Sequence, residues 1–535
     1  MLIVVLLAAC TRLSNPIGQS ATTAVPNTTS TPTEIETTPT TILWPVTGSI
    51  DIVQFQLANN GEWFTGNLFE LLNQGQGSEA QFIITDEPER NRKDGQVSSI
   101  LKAGYLFVEW DISRDAFDEY DHTIDALFIR SSLMSFVDYS NNRVIRPWPD
   151  VRPSIDIPLD IQGIIRLCNQ QDIPVFIEVN YSDYIPGPIG TSIESLERTD
   201  TLEELVNYLH EAEDEGLKIS GITFGDELED PSGYGELKPT IHNSDFIGRF
   251  IRYAGVLKTE FPELKIYAFD SSINAAQGKV SKYWDYFKQV RQAELQNGIE
   301  LIDGFVFRES YVYMDMNGEV LDSQFIVDDV DSLYRDAPVF RYDVTGEKFQ
   351  DPDRDYLHTL LEKTDEIFDR PIDIGITEYL PAGPISISET DTSKYGDMEF
   401  IIHYSDLMGV YAELGLDVVS TIMFGDTVDM HKAYFDRDGN RSANYKVHEQ
   451  FAEYFAGEII QVVRNHDDEA TKVKVYATRS DGRYLIVILN KDVSNEHTVN
   501  ITLPGVLDID LRLPRLSYTS LLIDGDKITI SGIGN

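Results

Sequence analysis

The chain has 535 residues, of which 42% are hydrophobic, and this length allows about two to four domains with large cores. Its 89 acidic and 43 basic residues give a formal net charge of −46. A surface that negative repels phosphate backbones, which argues against nucleic-acid binding. The two cysteines, Cys10 and Cys168, cannot form a disulfide framework or a zinc site of several thiolates. We therefore expect chemistry based on carboxylates, with no metal and no cofactor.

The first ten residues have features of an export signal. Leu2 to Leu7 are all aliphatic and lead into Ala8, Ala9 and Cys10. Small residues followed by cysteine after an apolar run resemble a bacterial lipoprotein signal, which implies that Cys10 is lipidated and becomes the first residue of the mature chain. The protein would then be extracytoplasmic, with a lipid anchor to the membrane or cell surface. The alternative is a frayed apolar N-terminus with a chance cysteine, because no basic residue precedes the short apolar run.

Residues 11–45 form the predicted tether. Nineteen of these residues are Thr, Ser or Pro, and few are apolar enough to nucleate a core. Such a segment would hold a folded body at some distance from the membrane. No other segment approaches about 18 uninterrupted apolar residues, so the sequence predicts no membrane-spanning helix.

Residues 46–450 alternate between short apolar runs and longer runs of helical periodicity. The helical runs are Ile161–Gln170, Leu202–Glu215, Ser244–Glu260, Lys282–Gln296, Tyr356–Phe368 and Ile401–Leu414. This alternation is typical of repeated βα units on a parallel sheet, and the economical interpretation is a (β/α)8 barrel of the α/β class. The runs Asp51–Leu57 and Ala126–Arg130 compete for the strand places that the clearer candidates leave open. Those clearer candidates are Tyr105–Trp110, Pro174–Asn180, Ile219–Phe224, Lys265–Asp270, Ile302–Phe307, Ile372–Thr377 and Val418–Phe424.

The pattern changes near Asn444. A helix-like run, Val447–Phe455, precedes several strand-like runs, some of them bounded by Asp-Gly or Gly-Asp turns. An all-β module over residues 451–535 has the size of a β-sandwich. Because barrels and sandwiches carry many functions, the function has to be argued from the site.

Two glutamates follow predicted barrel strands. Glu227 comes after Ile219–Phe224, with Asp226 directly before it, and Glu378 comes after Ile372–Thr377. The C-terminal ends of barrel strands meet at one mouth, where catalytic groups lie. A carboxylate pair there suits glycoside hydrolysis, in which one group protonates the leaving oxygen and the other attacks the anomeric carbon. The alternative is that these carboxylates cap helices or lie in solvated loops.

The runs Ile222–Glu227 and Ile374–Tyr379 resemble the fourth-strand and seventh-strand motifs of glycoside hydrolase clan A. The resemblance implies that Glu227 is the acid/base and Glu378 is the nucleophile of a retaining hydrolase. Clan A normally has Asn before the acid/base, whereas this chain has Asp226. A carboxylate can accept a hydrogen bond from the sugar but cannot donate one, and its charge raises the pKa of a neighbouring acid.

The C-terminal module adds to this resemblance. The runs Val475–Thr478 and Leu485–Asp492 resemble the accessory β-domain of clan A families 44, 39, 51 and 30, and the run Phe435–Asn440 resembles their crossing into the last barrel helix. Family 44, with its endoglucanases and xyloglucanases, is the nearest of these families.

Other residues at predicted strand ends suit a sugar-binding cleft, which combines polar groups with aromatic rings. In clan A a Tyr after the sixth strand often contacts the nucleophile, and Tyr311 has that place here. The early Arg that many members carry has Arg130 as a candidate, although Glu109 and Trp110 occupy an equally plausible strand end. The full set of expected substrate-binding residues is Asp226, Tyr311, Asn180, Tyr379, Trp110, Arg130 and Glu109.

The sequence thus predicts a lipid-anchored retaining glycoside hydrolase that acts on a β-linked polysaccharide or oligosaccharide. Asp226 motivates a first alternative, a carbohydrate-binding surface lipoprotein that keeps the barrel without efficient turnover. A purely structural envelope protein is the second alternative. The run Asp436–Asn440 is similar to a calcium loop but lacks the downstream bidentate Glu, so no metal site is expected.

Overall fold

A computed structural model describes the chain in ranges that all lie in one compact unit, Trp44–Asn535. The described ranges are 49–59, 62–65, 78–107, 124–130, 136–138, 143–145, 155–156, 161–179, 201–224, 246–272, 280–312, 340–342, 348–350, 356–382, 397–421, 423–425, 433–435, 455–465, 472–525 and 527–534.

Strands dominate the described residues, and helices lie between most of the central strands. The strands are β1 (Ser49–Asn59), β2 (Glu62–Thr65), β3 (Ala80–Pro88), β4 (Lys102–Phe107), β5 (Ala126–Arg130), β6 (Phe136–Asp138), β7 (Arg143–Ile145), β8 (Ile155–Asp156), β9 (Val175–Val179), β10 (Gly221–Phe224), β11 (Lys265–Ser272), β12 (Gly304–Val312), β13 (Phe340–Tyr342), β14 (Lys348–Gln350), β15 (Asp373–Ala382), β16 (Val418–Thr421), β17 (Met423–Gly425), β18 (Ala433–Phe435), β19 (Glu458–Asn465), β20 (Val473–Ser480), β21 (Arg483–Asn490), β22 (His497–Leu503), β23 (Leu507–Leu513), β24 (Ser517–Asp524) and β25 (Lys527–Gly534). The helices are α1 (Ile161–Gln170), α2 (Thr201–Asp214), α3 (Phe246–Glu260), α4 (Val280–Asn297), α5 (Tyr356–Phe368) and α6 (Asp397–Leu414).

Eight of the strands close into a barrel, in the order β4, β5, β9, β10, β11, β12, β15 and β16, with β16 paired to β4. Every pair in this ring is parallel. Each of the seven clearer strand predictions overlaps a barrel strand, and Ala126–Arg130, which is β5, takes the remaining place. The run Val418–Phe424 is not one strand, because β16 ends at Thr421 and Met423 begins β17, and the last three residues of Tyr105–Trp110 lie outside the described residues. The competing candidate, Asp51–Leu57, is not a barrel strand, because this run lies in β1 and pairs with β25 outside the barrel.

Aspartates fix the register of the barrel where its strands begin. Asp125, Asp303 and Asp417 each stand just before or at the start of a strand, and each accepts the backbone N–H of a residue on the preceding strand, at 3.0, 2.7 and 2.9 Å. The backbone N–H of each aspartate donates back to the carbonyl of that same residue. Each pair of neighbouring strands is thereby held by two reciprocal hydrogen bonds, which satisfy backbone groups at the buried base.

Lysine and arginine side chains balance these aspartates, of which Asp417 is buried and the other two are partly exposed. Arg92 donates to Asp417 at 3.0 Å. Lys102 Nζ lies 3.2 Å from Asp125, and Lys258 Nζ lies 2.7 Å from Asp303. Burial raises the pKa of the Asp125 carboxyl, and the adjacent Lys102 opposes that rise. The base of the barrel is therefore an ionic layer that is largely closed to water.

Aromatic rings fill the barrel interior above this base. Phe128 stacks on Phe176 with ring centroids 4.6 Å apart, and Phe176 stacks on Tyr267 at 5.0 Å. Two of these rings pack directly against glycines. A Cβ on Gly221 would overlap the Phe176 ring, and a Cβ on Gly304 would overlap the Tyr267 ring. The Tyr267 hydroxyl donates to Asp373 over 2.6 Å. Burial and the Asp373 charge raise the pKa of Tyr267, so this phenol stays protonated and remains a donor.

The helices pack on the outside of the barrel and bury its larger core. The predicted helices over residues 161–170, 202–215, 244–260, 282–296, 356–368 and 401–414 are confirmed within a few residues at each end. Most of the run Val447–Phe455, which we expected to be helical, lies outside the described residues. None of the helices that the structure describes is both long enough and apolar enough to cross a membrane.

A second sheet of ten strands has the order β2, β1, β25, β24, β21, β20, β19, β3, β22 and β23. Ile486 on β21 and Val499 on β22 share one core although their strands are not neighbours, so the sheet bends over that core as a sandwich does. The strands β1 to β3 belong to this sheet. The sandwich is therefore built from both ends of the folded body, which revises the expected division into a barrel at 46–450 and a sandwich at 451–535. Sequence periodicity missed this because it does not show which distant strand pairs with which.

A buried charge joins the barrel to the sandwich. Asp406 on α6 is fully buried, and it accepts hydrogen bonds from Tyr476 of β20 at 2.5 Å and from Lys491, which follows β21, at 2.7 Å. Gly409, one turn further along α6, lies against the Tyr476 ring, and a Cβ at this glycine would overlap the ring. The helix and the sheet are therefore in close contact around a satisfied buried carboxylate.

We predict that Gly409→Ala lowers the free energy of unfolding by about 1–3 kcal/mol, because the added methyl group displaces the Tyr476 ring. Gly255→Ala in α3 is the matched control, since the nearest atom to its Cβ would be 3.8 Å away. That variant should gain about 0.5–1 kcal/mol from helix propensity. Urea unfolding of both variants measures the difference, and equal shifts in the two would contradict the packing at α6.

Candidate functional site

The predicted catalytic residues belong to the fourth and seventh strands of the barrel. In chain order β10 is the fourth strand and β15 is the seventh. Glu378 lies within β15, and Glu227 follows the last residue of β10 by three positions. The backbone at Glu378 is described, whereas Glu227 and Asp226 lie outside the described residues. The resemblance to clan A implies these two strand positions for the acid/base and the nucleophile.

Three other predicted site residues lie in the C-terminal parts of barrel strands. Arg130 is the last residue of β5, Tyr311 is the penultimate residue of β12, and Tyr379 follows Glu378 in β15. The structure gives the backbone of these three residues. Four further predictions lie outside the described residues, namely Glu109 and Trp110 after β4, Asn180 directly after β9, and the lipidation site Cys10.

The backbone around Glu378 is irregular on both sides of its strand. Towards β12, Arg308 pairs with Thr377 and Ser310 pairs with Leu380. Between these pairs β12 has one residue and β15 has two. Towards β16, Ile376 pairs with Val419 and the next pair is Tyr379 with Thr421. Glu378 lies in both intervals. Bulges of this kind bend a strand and re-aim its side chains, and they are frequent next to active sites.

These irregularities change the alternation of β15. Ile374 and Ile376 belong to the core on the helix side of the barrel. Unbroken alternation from Ile376 would assign residue 378 to that same side. The register shifts interrupt the regular pairing at this residue, so the alternation that holds up to Ile376 does not carry on through it. A plain reading of the sequence as an alternating strand could not show this.

Glu309 is a residue of this region that the sequence reasoning did not select. It is the single β12 residue that spans the interval of Glu378 and Tyr379. The run of which it is part, Arg308–Tyr311, is polar at a predicted strand end, and that was the available signal. Only the pairing shows that Glu309 is the backbone neighbour of Glu378.

Two more polar residues lie inside the barrel, on the third and fourth strands. Phe176 belongs to the interior cluster of the barrel, so Glu178, two residues later on β9, faces the same way. Thr223 on β10 is the register partner of Glu178 and lies between the helix-side residues Ile222 and Phe224. Its hydroxyl is buried and has no hydrogen-bond partner. An unpaired buried hydroxyl costs about 1–3 kcal/mol, so this one needs a reason.

A cavity of about 770 Å³ opens at the other end of the barrel. Its lining includes Pro174, Ser220 and Lys265, which stand where β9, β10 and β11 begin. This position is at the opposite end of the strands from Glu378, and barrel enzymes use the C-terminal ends for chemistry. We therefore assign the cavity no part in the candidate site. Within the described ranges, no group of three or more His, Cys, Asp or Glu side chains is arranged to hold a metal ion.

This chain resembles known proteins in structure but not in sequence. No protein-family model matches the chain, and no curated protein matches its sequence. Solved structures do match. A family 44 endoglucanase from Clostridium thermocellum superposes with a TM-score of 0.60 at 13% identity, over 84% of this chain and 100% of the endoglucanase.

Two other solved structures extend this likeness. A family 44 xyloglucanase from Paenibacillus polymyxa, solved with xyloglucan, has a TM-score of 0.59 at 11% identity, over 83% of this chain and 100% of its own. A family 51 α-L-arabinofuranosidase from Bifidobacterium longum has a TM-score of 0.56 at 11% identity, over 84% and 100%. The protein therefore has the fold of the family 44 and family 51 glycoside hydrolases, as its resemblance to clan A led us to expect.

Proposed function

We propose that this protein is a retaining glycoside hydrolase that cleaves a β-linked polysaccharide or oligosaccharide. The observation that carries the proposal is the strand position of two glutamates in a closed barrel. Glu227 follows the fourth strand and Glu378 lies in the seventh, in a fold shared with families 44 and 51. The double register shift at Glu378 supports a role for that residue at the mouth.

The mechanism has two displacements. In the first, a Glu378 carboxylate oxygen bonds to the anomeric carbon while the glycosidic C–O bond breaks, and Glu227 transfers its proton to the departing oxygen. In the second, Glu227 removes a proton from water, the water oxygen bonds to the anomeric carbon, and Glu378 leaves as a carboxylate. The configuration of the sugar is retained because each displacement inverts it once.

The solved neighbours guide the choice of substrates. They are described as an endoglucanase, a xyloglucanase and an α-L-arabinofuranosidase. We therefore place β-glucan and xyloglucan first in a substrate panel, followed by xylan, mannan and arabinan. Reducing-sugar release by the folded body, starting near Thr47, is the assay.

We predict that Glu378→Gln abolishes release from the polymer that the parent cleaves, because the amide cannot attack the anomeric carbon. Glu227→Gln should slow release by about 10²–10⁴-fold through loss of general acid catalysis. With an aryl glycoside whose leaving group needs no proton, Glu227→Gln should form the glycosyl-enzyme at the parent's rate, whereas Glu378→Gln should not form it. Glu362→Gln on the exposed face of α5 is the control and should match the parent. Equal activity in all variants would refute the assignment.

Asp226 supports a second candidate function, a carbohydrate-binding protein with little or no turnover. The position before the acid/base is Asn in clan A, and the charge of Asp226 beside Glu227 opposes deprotonation of Glu227. Under this candidate the parent binds oligosaccharides from the panel without cleaving them. Binding without release, measured on the same preparation, separates the two candidates.

We predict that Asp226→Asn shifts the alkaline limb of the kcat/KM pH profile to lower pH, by on the order of one unit. A neighbouring negative charge raises the pKa of the acid, so its removal lowers that pKa, and the acid is lost at a lower pH. Asp226→Glu keeps the charge and should keep the limb in place. A limb that stays fixed in Asp226→Asn would show that Asp226 does not act on Glu227.

We also propose that a lipid on Cys10 anchors the protein to the bacterial membrane or cell surface. The support is the sequence alone, in which Ala8-Ala9-Cys10 follows an apolar run and precedes the Thr-rich tether. We predict that radiolabelled palmitate is incorporated into the expressed precursor and that Cys10→Ser abolishes both labelling and membrane fractionation. Cys168→Ser is the control, because burial raises the pKa of that thiol to about 12 and leaves it unreactive. Label retained in Cys10→Ser would contradict the anchor.

A further inference from the structure

The third and fourth strands bring a carboxylate and a hydroxyl together inside the barrel. Glu178 stands two residues before Asn180, and Thr223 stands four residues before Glu227. The two are register partners in the parallel pair of β9 and β10. Both face inward, because the residues on either side of Thr223 and the residue before Glu178 belong to the helix-side core. Both residues therefore lie nearer to the middle of the barrel than the predicted site residues that follow them in the sequence.

The burial of neighbouring residues shows which way Glu178 is open. Phe176, two residues earlier on the same strand and on the same face, is 1% exposed. Glu178 is partly exposed. Since the interior is closed at Phe176, the exposed part of Glu178 is on the side of the C-terminal mouth. A carboxylate in this position meets whatever enters the barrel from the candidate site.

Thr223, unlike Glu178, is closed off from solvent. It is 1% exposed, and its hydroxyl makes no hydrogen bond. Adjacent strands are about 4.8 Å apart, and register partners on one face are within side-chain reach of each other. A threonine hydroxyl can therefore donate to a carboxylate on the neighbouring strand after a change of side-chain rotamer. Such a bond would satisfy the buried hydroxyl.

We propose that Glu178 binds a hydroxyl group of a sugar in the barrel mouth and that Thr223 is a positioning residue for the Glu178 carboxylate. The Glu178 carboxylate accepts the sugar hydroxyl from the mouth and the Thr223 hydroxyl from below, since each carboxylate oxygen can accept more than one hydrogen bond. Hydrogen bonds to an ionised carboxylate are stronger than those between neutral groups. A Glu178 carboxylate that Thr223 already holds in place therefore binds the sugar hydroxyl more tightly. The inference rests on the proposed function for the class of ligand, a carbohydrate.

The test is a double-mutant cycle on sugar affinity, measured by calorimetry. The probes are cellotetraose, xylotetraose and a xyloglucan heptasaccharide, and the protein carries Glu378→Gln to prevent turnover. Glu178→Ala should weaken the binding of at least one probe tenfold or more, and Thr223→Val should weaken it several-fold. Thr223→Ser, which keeps the hydroxyl, should restore affinity. In the Glu178→Ala background, Thr223→Val should have no further effect, because the group it positions is gone.

Thr519→Val is the matched control. Thr519 lies in β24 of the sandwich, is also 1% exposed, and its hydroxyl likewise has no hydrogen-bond partner. Its replacement should leave sugar affinity unchanged. Melting temperatures of all variants separate a loss of affinity from a loss of folding.

Each outcome decides between the two proposals. If the parent binds and hydrolyses a sugar while the Glu178 and Thr223 variants bind it equally well, the binding role is overturned and the hydrolase stands. If affinity falls as expected but no polymer is cleaved, the hydrolase is overturned and the sugar site stands. A parent that binds none of the probes and releases sugar from no polymer of the panel overturns both. A lower melting temperature in Thr223→Val with unchanged affinity would show a purely structural threonine and overturn its positioning role.

Discussion

The fold depends on how the base of the barrel is closed. Three aspartates at strand starts exchange reciprocal hydrogen bonds with the preceding strand, and a cationic side chain lies beside each of them. These contacts fix the register of the strands at one end. Register errors there would move every inward residue to the helix side. With the base fixed, the other end can carry bulges without losing the barrel, and the irregular pairing around Glu378 lies at that end.

Much of the barrel could be predicted from periodicity. The helix over residues 356–368 and the strand over 126–130 agree with the structure at both ends. The failure at Asp51–Leu57 has a clear cause. That run has good strand chemistry, but its partner is β25, more than four hundred residues away, and local periodicity contains no information about distant pairing.

The candidate site could be predicted in part. The place of Glu378 in the seventh strand and of Glu227 after the fourth follow from motif and strand order. The register shifts at Glu378 could not be predicted, because a bulge depends on two neighbouring strands at once. Glu178 and Thr223 were missed for a related reason. Each is one polar residue in an apolar strand, and only the register shows that they are partners.

The strand order of the sandwich has a consequence for biosynthesis. β1 is hydrogen-bonded to β25, so the first and the last described strands are neighbours in the finished sheet. β3 likewise lies between β19 and β22. The early strands must therefore wait through synthesis of the whole barrel before their partners exist. Until then the growing chain exposes unpaired strand edges, and the sandwich can be completed only after the last residues have left the ribosome.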